Sequence, residues 1–526
     1  MLAPAVAVLA LGVQSTPTSA AHTAPFATAS VVERPPQDNV VIEWNRTLLG
    51  IVRTPHAQPA TVQPTRNFAI MSAAVYDAVN AISRAHTLYG ISLTAPRDAS
   101  RPAAAAAAAH DTLTALYPAR KTSLDQQLVG DLAGIPNGRA KQEGIQVGAR
   151  AAHGILALRA HDGADATPPR YTTTGKPGDY RPTPPAFKTP EFTHWGNVAP
   201  FLLRTGHQFR PAGPPPLASP AYAAAINEVK AIGAAHSTTR TAEQTTAAKF
   251  WATPAQYAWN DIAQQVAARH SDLDQSADLF ALFNLTVADV TIGLYDAKYH
   301  YRLWRPVTAI RLAAGNPQVK RDPAWTPLVI IPPDPSYPGL SSGVSAAAAA
   351  VLAGFYGDRN TFTLTSPGTP GVTKTFTSFS GAATETGLSR TWAGAHTRLD
   401  HRSANELAAA VSRYALSRLK VAPATPGSPT AKTPAGSCHA AGVPVAVRDS
   451  KLGKILVDGQ GRTLYLFEAD KGTKSTCYGA CARAWPPPLY YFVSDTKPGD
   501  ITGQALNSFG AKWYVLNPKG NKIDTS

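Results

Sequence analysis

Residues 422–437 read APATPGSPTAKTPAGS, a segment rich in proline, threonine and alanine that contains no large apolar side chain. Because such a segment has little apolar surface to bury, it is typical of an interdomain linker and not of a core element. The whole chain has 526 residues, which is more than one ordinary core contains. The linker therefore predicts two folded regions, residues 40–421 and residues 438–526.

Residues 40–421 alternate helical patterns with proline-rich loops. The sequence NFAIMSAAVYDAVNAI, for example, places Phe68, Met71 and Val75 at a spacing close to the helical period. Residues 276–304 form the longest helical candidate, and the alternation expected of strands is scarce. We predict a mainly α-helical bundle for this region.

Residues 438–526 follow a different pattern. Two apolar runs in residues 452–470 flank a Gly-Gln-Gly turn, which predicts a β-hairpin. The sequences LYLFEAD and LYYFVSD repeat one spacing of Tyr, Phe and Asp, which indicates an internal repeat. Cys477 and Cys481 form either a local disulfide or, together with His439, a metal site. We predict a small β-rich module here.

The N-terminus and the overall charge bound the location and the partners. Residues 1–21 join an apolar core to small residues, as in a secretory signal peptide, although the basic n-region is missing. No other apolar run approaches the length of a membrane span, so we expect no transmembrane helix. The net charge of +15 suits nucleic acid, an anionic surface or a small anionic substrate. The chain has no long basic block, which argues against nucleic acid.

Lys298, Arg302 and Arg305 lie close together in the sequence DAKYHYRLWRP. Residues seven positions apart on an α-helix fall within about 20° of one face, so Lys298 and Arg305 are expected to converge, with Arg302 nearby. The aromatic neighbours predict burial, and buried cations need an anion; Asp289 and Asp296 are candidate structural partners. A solvated basic face or the cationic end of a helix is the alternative interpretation.

A second candidate segment is SRTWAGAHTRLDH. Arg390 and His396 are six residues apart and would not share one side of a continuous helix, but Gly394 permits a bend that brings them together. Asp400 follows His396 by four residues and is placed to hold the imidazole. A single histidine is more often a packing residue, so this prediction depends on the accompanying cations.

Residues 336–350, SYPGLSSGVSAAAAA, predict the N-terminus of a buried helix. Backbone N–H groups at Ser341, Ser342 and Gly343 would face outward from a positive helix end, which suits an oxyanion. The alternative is structural, because serines cap helices and small residues allow close packing.

The order of these three segments resembles that of the phosphatidic acid phosphatase type 2 and vanadium-dependent haloperoxidase superfamily, in its exported bacterial branch. The resemblance covers residues 40–421 and implies a helical bundle with an anion site at its centre. The matching residues are Lys298, Arg305 and Pro306 in the first motif and Ser389, Arg390, His396 and Asp400 in the third.

The resemblance also implies roles for these residues. Lys298, Arg305 and Arg390 would neutralise the oxygens of vanadate or phosphate, His396 would bind vanadium or attack phosphorus, and Asp400 would orient His396. With vanadate as cofactor, hydrogen peroxide would oxidise a halide. Without it, the chain would be an acid phosphatase acting on phosphomonoesters. The flanking sequence favours the haloperoxidase branch and hence an enzyme.

The middle motif departs from the superfamily pattern Pro-Ser-Gly-His. One alignment places Ser341 where the superfamily has its acid–base histidine, and the other places Val344 there. General acid–base assistance is worth about 10²- to 10⁴-fold, so we expect impaired activity. A non-catalytic anion-binding or cell-surface protein is therefore the third alternative, unless His56, His300 or His401 replaces the missing group.

The C-terminal region resembles an exported bacterial repeat module marked by Tyr-x-Phe-x-x-Asp. The opening of one repeat and the ending of another join directly at residues 486–489. The resemblance implies a secreted protein, associated with the cell wall or making contacts at the cell surface through this module.

Overall fold

The computed structural model describes residues 39–54, 62–419 and 421, together with the backbone of four short strands in the C-terminal region. The chain forms two compact units, Met1–Ser428 and Pro429–Ser526. Their boundary lies within the segment predicted as a linker. The predicted signal peptide and the linker itself lie outside the described residues.

The described part of the first unit is built from thirteen α-helices, which confirms the helical prediction. A single short hairpin pairs β1 (Phe362–Thr365) with β2 (Thr373–Phe376). The helices, in chain order, are α1 (Val40–Arg53), α2 (Gln63–Ser83), α3 (Arg101–Leu116), α4 (Lys121–Ala133), α5 (Arg139–Arg159), α6 (Pro220–Ile232), α7 (Ala242–Phe250), α8 (Ala255–His270), α9 (Leu273–Tyr301), α10 (Pro306–Leu312), α11 (Leu340–Tyr356), α12 (Phe379–Trp392) and α13 (Arg398–Arg418).

Helix α9 is the central element of the bundle. It begins at a capping box in which Asp272 and Gln275 satisfy each other's backbone N–H groups, and it ends where Arg302 adopts the left-handed conformation. Helices α2, α11 and α13 pack around it. By length and composition α9 could span a membrane, so the prediction that no further run approaches that length is wrong. Its apolar stretch is entirely buried by protein, however, as is usual for a core helix.

The contact between α3 and α5 depends on residues without large side chains. The alanines of α3 from Ala103 to Ala109 are all buried, and Ala103, Ala104 and Ala107 lie against the glycines of α5. A Cβ atom added at Gly148 would lie 2.3 Å from the carbonyl oxygen of Ala104 and 2.8 Å from the Cβ of Ala107. The two backbones therefore approach too closely for any side chain at Gly148.

Gly148→Ala is expected to destabilise the bundle by about 1–3 kcal/mol, because the added methyl group forces α3 and α5 apart. Gly130→Ala on α4 is the matched control, since nothing lies within 4 Å of the added Cβ there. That control should be neutral or stabilising by up to about 1 kcal/mol, from helix propensity alone. Urea denaturation measures both, and equal stabilities would contradict the packing argument.

The second unit contains strands in its described part. Strand β3 (Ala446–Ser450) pairs antiparallel with β4 (Gly453–Val457), and β5 (Gly503–Gln504) pairs with β6 (Tyr514–Val515). The first apolar run of the predicted hairpin forms β4, but the strand that pairs with it precedes it in the chain. The second run, the two Tyr-Phe-Asp sequences, and Cys477 and Cys481 lie outside the described residues.

Candidate functional site

The connection between α12 and α13 carries His396 into the interior. Gly394 has a φ of 79°, and a Cβ there would lie 2.5 Å from the carbonyl oxygen of Gly233, so the turn requires glycine. The backbone N–H of His396 then donates to the carbonyl of Arg390 at 3.2 Å. Thr397 caps α13 through a hydrogen bond from the Asp400 N–H to its hydroxyl oxygen. The turn thus brings Arg390, His396 and Asp400 into one buried region.

Asp400 fixes the orientation of the His396 ring. Its Oδ2 lies 3.3 Å from His396 Nδ1 and also accepts the Thr397 N–H at 2.7 Å and the Ser336 hydroxyl at 2.8 Å. Burial alone would raise the pKa of Asp400, but the hydrogen bond with His396 and these further donors lower it. Asp400 is therefore an ionised carboxylate, and His396 Nδ1 carries the proton that faces it.

The imidazole of His396 is neutral. Burial, and next the positive charge of Arg305, lower its pKa to about 3. With the proton on Nδ1, the lone pair of Nε2 is exposed to the interior, where Arg305 Nη1 donates to it at 3.0 Å. A neutral imidazole held by a carboxylate is the form that binds a metal or acts as a nucleophile.

Lys298 and Arg305 converge as predicted, but not on one helix. Helix α9 ends at Tyr301, and Arg305 precedes Pro306 at the start of α10. Both side chains are buried and both reach Asp334: Lys298 Nζ and Arg305 Nη2 each lie 2.7 Å from its Oδ1. The anion that these buried cations need is therefore a loop carboxylate.

Two predictions about this segment are wrong. Arg302 does not share the site, because the left-handed turn after α9 directs it to Asp179, whose Oδ1 lies 3.0 Å from its Nε. Asp289 and Asp296 are not the partners of the two cations. Asp289 accepts three backbone N–H groups, from Phe201, Leu202 and Leu203. Asp296 pairs with Arg210.

Arg390 is the third buried cation and has no carboxylate partner among the described residues. Its Nη1 makes a long hydrogen bond of 3.4 Å to the carbonyl of Trp251, and its buried Nε has no hydrogen-bond partner. Burial, and then the charge of Arg305, lower the pKa of Arg390 to about 10. A buried guanidinium in this condition is strongly destabilising unless an anion neutralises it.

The entrance of α11 lies beside the third motif. Helix α11 begins at Leu340 after Gly339, whose N–H donates to the carbonyl of Asp400 at 3.0 Å. Ser341 is partly exposed in the first turn and Ser342 is buried. Gly343 has a packing role, because a Cβ there would lie 2.7 Å from Leu294 Cδ1. Val344 belongs to the main hydrophobic core.

The described histidines named above as replacements for the missing acid–base group make contacts elsewhere. His401 packs against Gly387 of α12, and its Nε2 lies 3.3 Å from Nδ2 of Asn405. His300 is exposed and stacks edge-on with Tyr301. His56 lies outside the described residues.

Sequence reasoning missed Asp334 and Ser336. In the sequence PPDPSYP, Asp334 precedes the predicted helix entrance and Ser336 is its first residue, and neither stands at a diagnostic spacing from the cations. The available signal was a lone acidic residue in an apolar, proline-rich stretch, together with the requirement that buried Lys298 and Arg305 find an anion.

The lowered pKa of His396 predicts a loss of stability in weak acid. Because the folded-state pKa of about 3 lies below the unfolded value of 6.5, the unfolded chain binds the proton first as the pH falls below 6.5. Protonation of His396 in the unfolded chain should therefore lower the free energy of unfolding by about 2 kcal/mol between pH 6.5 and pH 5. Urea denaturation of the parent and His396→Gln at pH 7 and pH 5 measures this: the variant should lose about 2 kcal/mol less. An equal loss of stability in the two proteins would contradict the lowered pKa of His396.

Comparison with known proteins identifies relatives of both units. Residues 278–422 match the VCPO second helical-bundle domain, and residues 446–487 and 488–517 match a secreted repeat of unknown function. The structure of a bacterial vanadium-dependent iodoperoxidase is 24% identical, has a TM-score of 0.64, and the match covers 74% of this chain and 98% of that one.

Two forms of a bacterial vanadium-dependent chloroperoxidase are also similar in structure. The holo form and the apo form are each 16% identical, with TM-scores of 0.58 and 0.56. These matches cover 73% and 68% of this chain and 98% and 93% of the other chains. No curated protein sequence matches the chain. At these identities the structural likeness establishes the helical fold, and all the site residues of both motifs lie within the matched domain.

Proposed function

We propose that this chain, a member of the haloperoxidase superfamily, binds a tetrahedral oxyanion between Lys298, Arg305, Arg390 and His396. With vanadate bound, it would support a slow oxidation of halide by hydrogen peroxide. The observation that carries the proposal is the buried guanidinium of Arg390 beside two further buried cations: its Nε has no hydrogen-bond partner, and no carboxylate among the described residues pairs with it.

The charges of the cluster support an anion as the missing component. Three cations face two carboxylates, Asp334 and Asp400, and the neutral imidazole of His396, which leaves one positive charge in the interior. Guanidinium and ammonium groups bind the oxygens of phosphate-like anions through charge-assisted hydrogen bonds. The neutral Nε2 of His396 is the group that would hold vanadium. The residues present therefore fit vanadate or phosphate.

Bound vanadate would supply the activation of peroxide, and the protein would supply position and charge. Lys298, Arg305 and Arg390 would stabilise negative charge on the anion, which is the usual role of fixed cations in such sites. Asp400, held by Ser336 and the Thr397 N–H, would keep the imidazole in the required tautomer. No described histidine contacts this cluster besides His396, so proton transfer would lack its usual partner and turnover would be slow.

The test is a set of three assays on the full chain. We expect orthovanadate and phosphate to compete for one site in calorimetric titrations, and vanadate to induce weak bromide oxidation with hydrogen peroxide. Hydrolysis of p-nitrophenyl phosphate without bromide oxidation would support the acid phosphatase alternative and overturn the peroxidase. Binding without either turnover would support a non-catalytic anion-binding protein. The absence of binding would overturn the oxyanion site itself.

The C-terminal repeats support an extracellular location, because their family is a secreted one. We propose that this module contacts the cell surface or cell wall while the helical unit carries the anion site. Fractionation of cells that produce the full chain, and of cells that produce a chain ending at Val421, would test this: only the full chain should sediment with the cell wall.

A further inference from the structure

Asp334 occupies the place where an external anion would meet two of the three cations. Its Oδ1 lies 2.7 Å from both Lys298 Nζ and Arg305 Nη2, and its Oδ2 lies 3.5 Å from the hydroxyl of Tyr295. The residue is only 4% exposed. One carboxylate oxygen thus bridges the cation pair in the manner of an oxygen of phosphate or vanadate.

Most donors of the cation pair are already used by the protein. The ammonium of Lys298 has three N–H groups, and Asp334 and the carbonyls of Pro335 and Ser336 accept from them. Arg305 donates to the backbone carbonyls of Asp334 and Ala395, to Asp334 Oδ1 and to His396 Nε2. An external oxyanion therefore finds no free donor on Lys298.

We propose that Asp334 is an internal anion that occupies the oxyanion position on Lys298 and Arg305 and thereby sets the affinity and charge preference of the site. An external oxyanion would bind fully only when the Asp334 carboxylate leaves the cation pair. This inference depends on the proposed oxyanion site. It assigns Asp334 as a specificity-determining residue and not as a catalytic one.

The electrostatic environment of Asp334 agrees with this role. Burial alone would raise its pKa, but Lys298 and Arg305 lower it, so the group is an ionised carboxylate. While the Asp334 carboxylate stays near the pocket, the cluster has one net positive charge. It therefore matches a monoanion better than a dianion. Removing the carboxylate charge raises that surplus to two. The gain in affinity should then be larger for a dianion than for a monoanion.

The decisive variant is Asp334→Asn in the full chain, titrated with orthovanadate. We expect about 10- to 100-fold tighter binding than in the parent, because a charge-assisted competitor is removed. Sulfate and perchlorate are both tetrahedral, but sulfate carries two negative charges and perchlorate one. The gain in affinity in Asp334→Asn should therefore be larger for sulfate. Asp296→Asn is the matched control: it removes a carboxylate of helix α9, which also carries Lys298, but one that pairs with Arg210, and it should leave binding unchanged.

The stability of Asp334→Asn provides a second measurement, because the variant leaves a buried cation pair without its anion. Without ligand, its melting temperature should be lower than that of the parent. Added phosphate should raise the melting temperature of the variant by more than it raises that of the parent. Asp334→Ser should behave in the same way if Asn does not fold.

The outcomes separate this inference from the proposed function. If the parent binds vanadate and Asp334→Asn binds no more tightly, or if Asp296→Asn gains equally, the internal-anion role is overturned and the site stands. If neither the parent nor Asp334→Asn binds any of these anions, the oxyanion site itself is overturned, and the inference with it.

Discussion

Arg390→Met is expected to weaken vanadate and phosphate binding by roughly 10²- to 10³-fold while leaving the anion-free protein as stable as the parent or more so. The loss follows from removing a buried charge that would pair with the anion. The anion-free variant should keep its stability because Arg390 is poorly satisfied without ligand: its Nε has no hydrogen-bond partner, and no described carboxylate neutralises its charge. Methionine keeps most of the apolar stem and removes the uncompensated charge.

Arg159→Met is the matched control for this prediction. Arg159 is also a buried guanidinium, but it pairs with Asp162 and donates to the carbonyls of Ala199 and Pro200. Its replacement should cost about 1–3 kcal/mol, because it removes one of the two arginines that pair with buried Asp162, the other being Arg66, and leaves two carbonyls without their donor. It should leave anion binding intact. Calorimetric titration and urea denaturation of both variants give the comparison. A strong loss of stability without loss of binding in Arg390→Met would show that Arg390 is a structural cation.

His396→Gln separates vanadate from phosphate at the same site. Glutamine keeps a polar side chain but removes the imidazole lone pair, so vanadate affinity should fall by more than phosphate affinity. The cations that would bind the oxygens of either anion remain in place. Equal losses for the two anions would indicate that His396 contributes only hydrogen bonding.

The sequence predicts the helices of this fold well, because their signals are local. Helix α9 has both an apolar pattern and the Asp272–Gln275 capping box, so its existence follows from side chains that meet within a few residues. The bend at Gly394 is likewise local, because a positive φ beside a close backbone contact favours glycine.

The arrangement of the charges was less accessible from sequence. The seven-residue spacing of Lys298 and Arg305 predicted convergence on one helix, yet α9 ends at Tyr301 and the two residues meet across a loop. Their counter-ion, Asp334, is 36 residues beyond Lys298, and no periodicity links the two. Pairing across such a separation is fixed by tertiary packing, which is why Asp289 and Asp296 were the wrong candidates.

The two ways of aligning the middle motif place the expected histidine in different environments. Val344 is 1% exposed and lies in the main hydrophobic core, so an imidazole there would be buried among apolar side chains. Ser341 lies in the first turn of α11 and is partly exposed, close in sequence to Gly339, whose N–H binds the carbonyl of Asp400. Ser341 is therefore the better position at which to restore the acid–base group.

Ser341→His is expected to raise vanadate-dependent bromide oxidation by about 10²- to 10⁴-fold, the usual contribution of a positioned general acid–base group. Vanadate affinity should change little, because the three cations and His396 are untouched, so the gain belongs to turnover. Ser341→Gln supplies a polar side chain of similar reach that does not titrate, and it should give no gain. Val344→His should instead lower stability, since it places a polar ring in the apolar core. If Ser341→His binds vanadate as the parent does but turns over no faster, the absent histidine is not what limits this site.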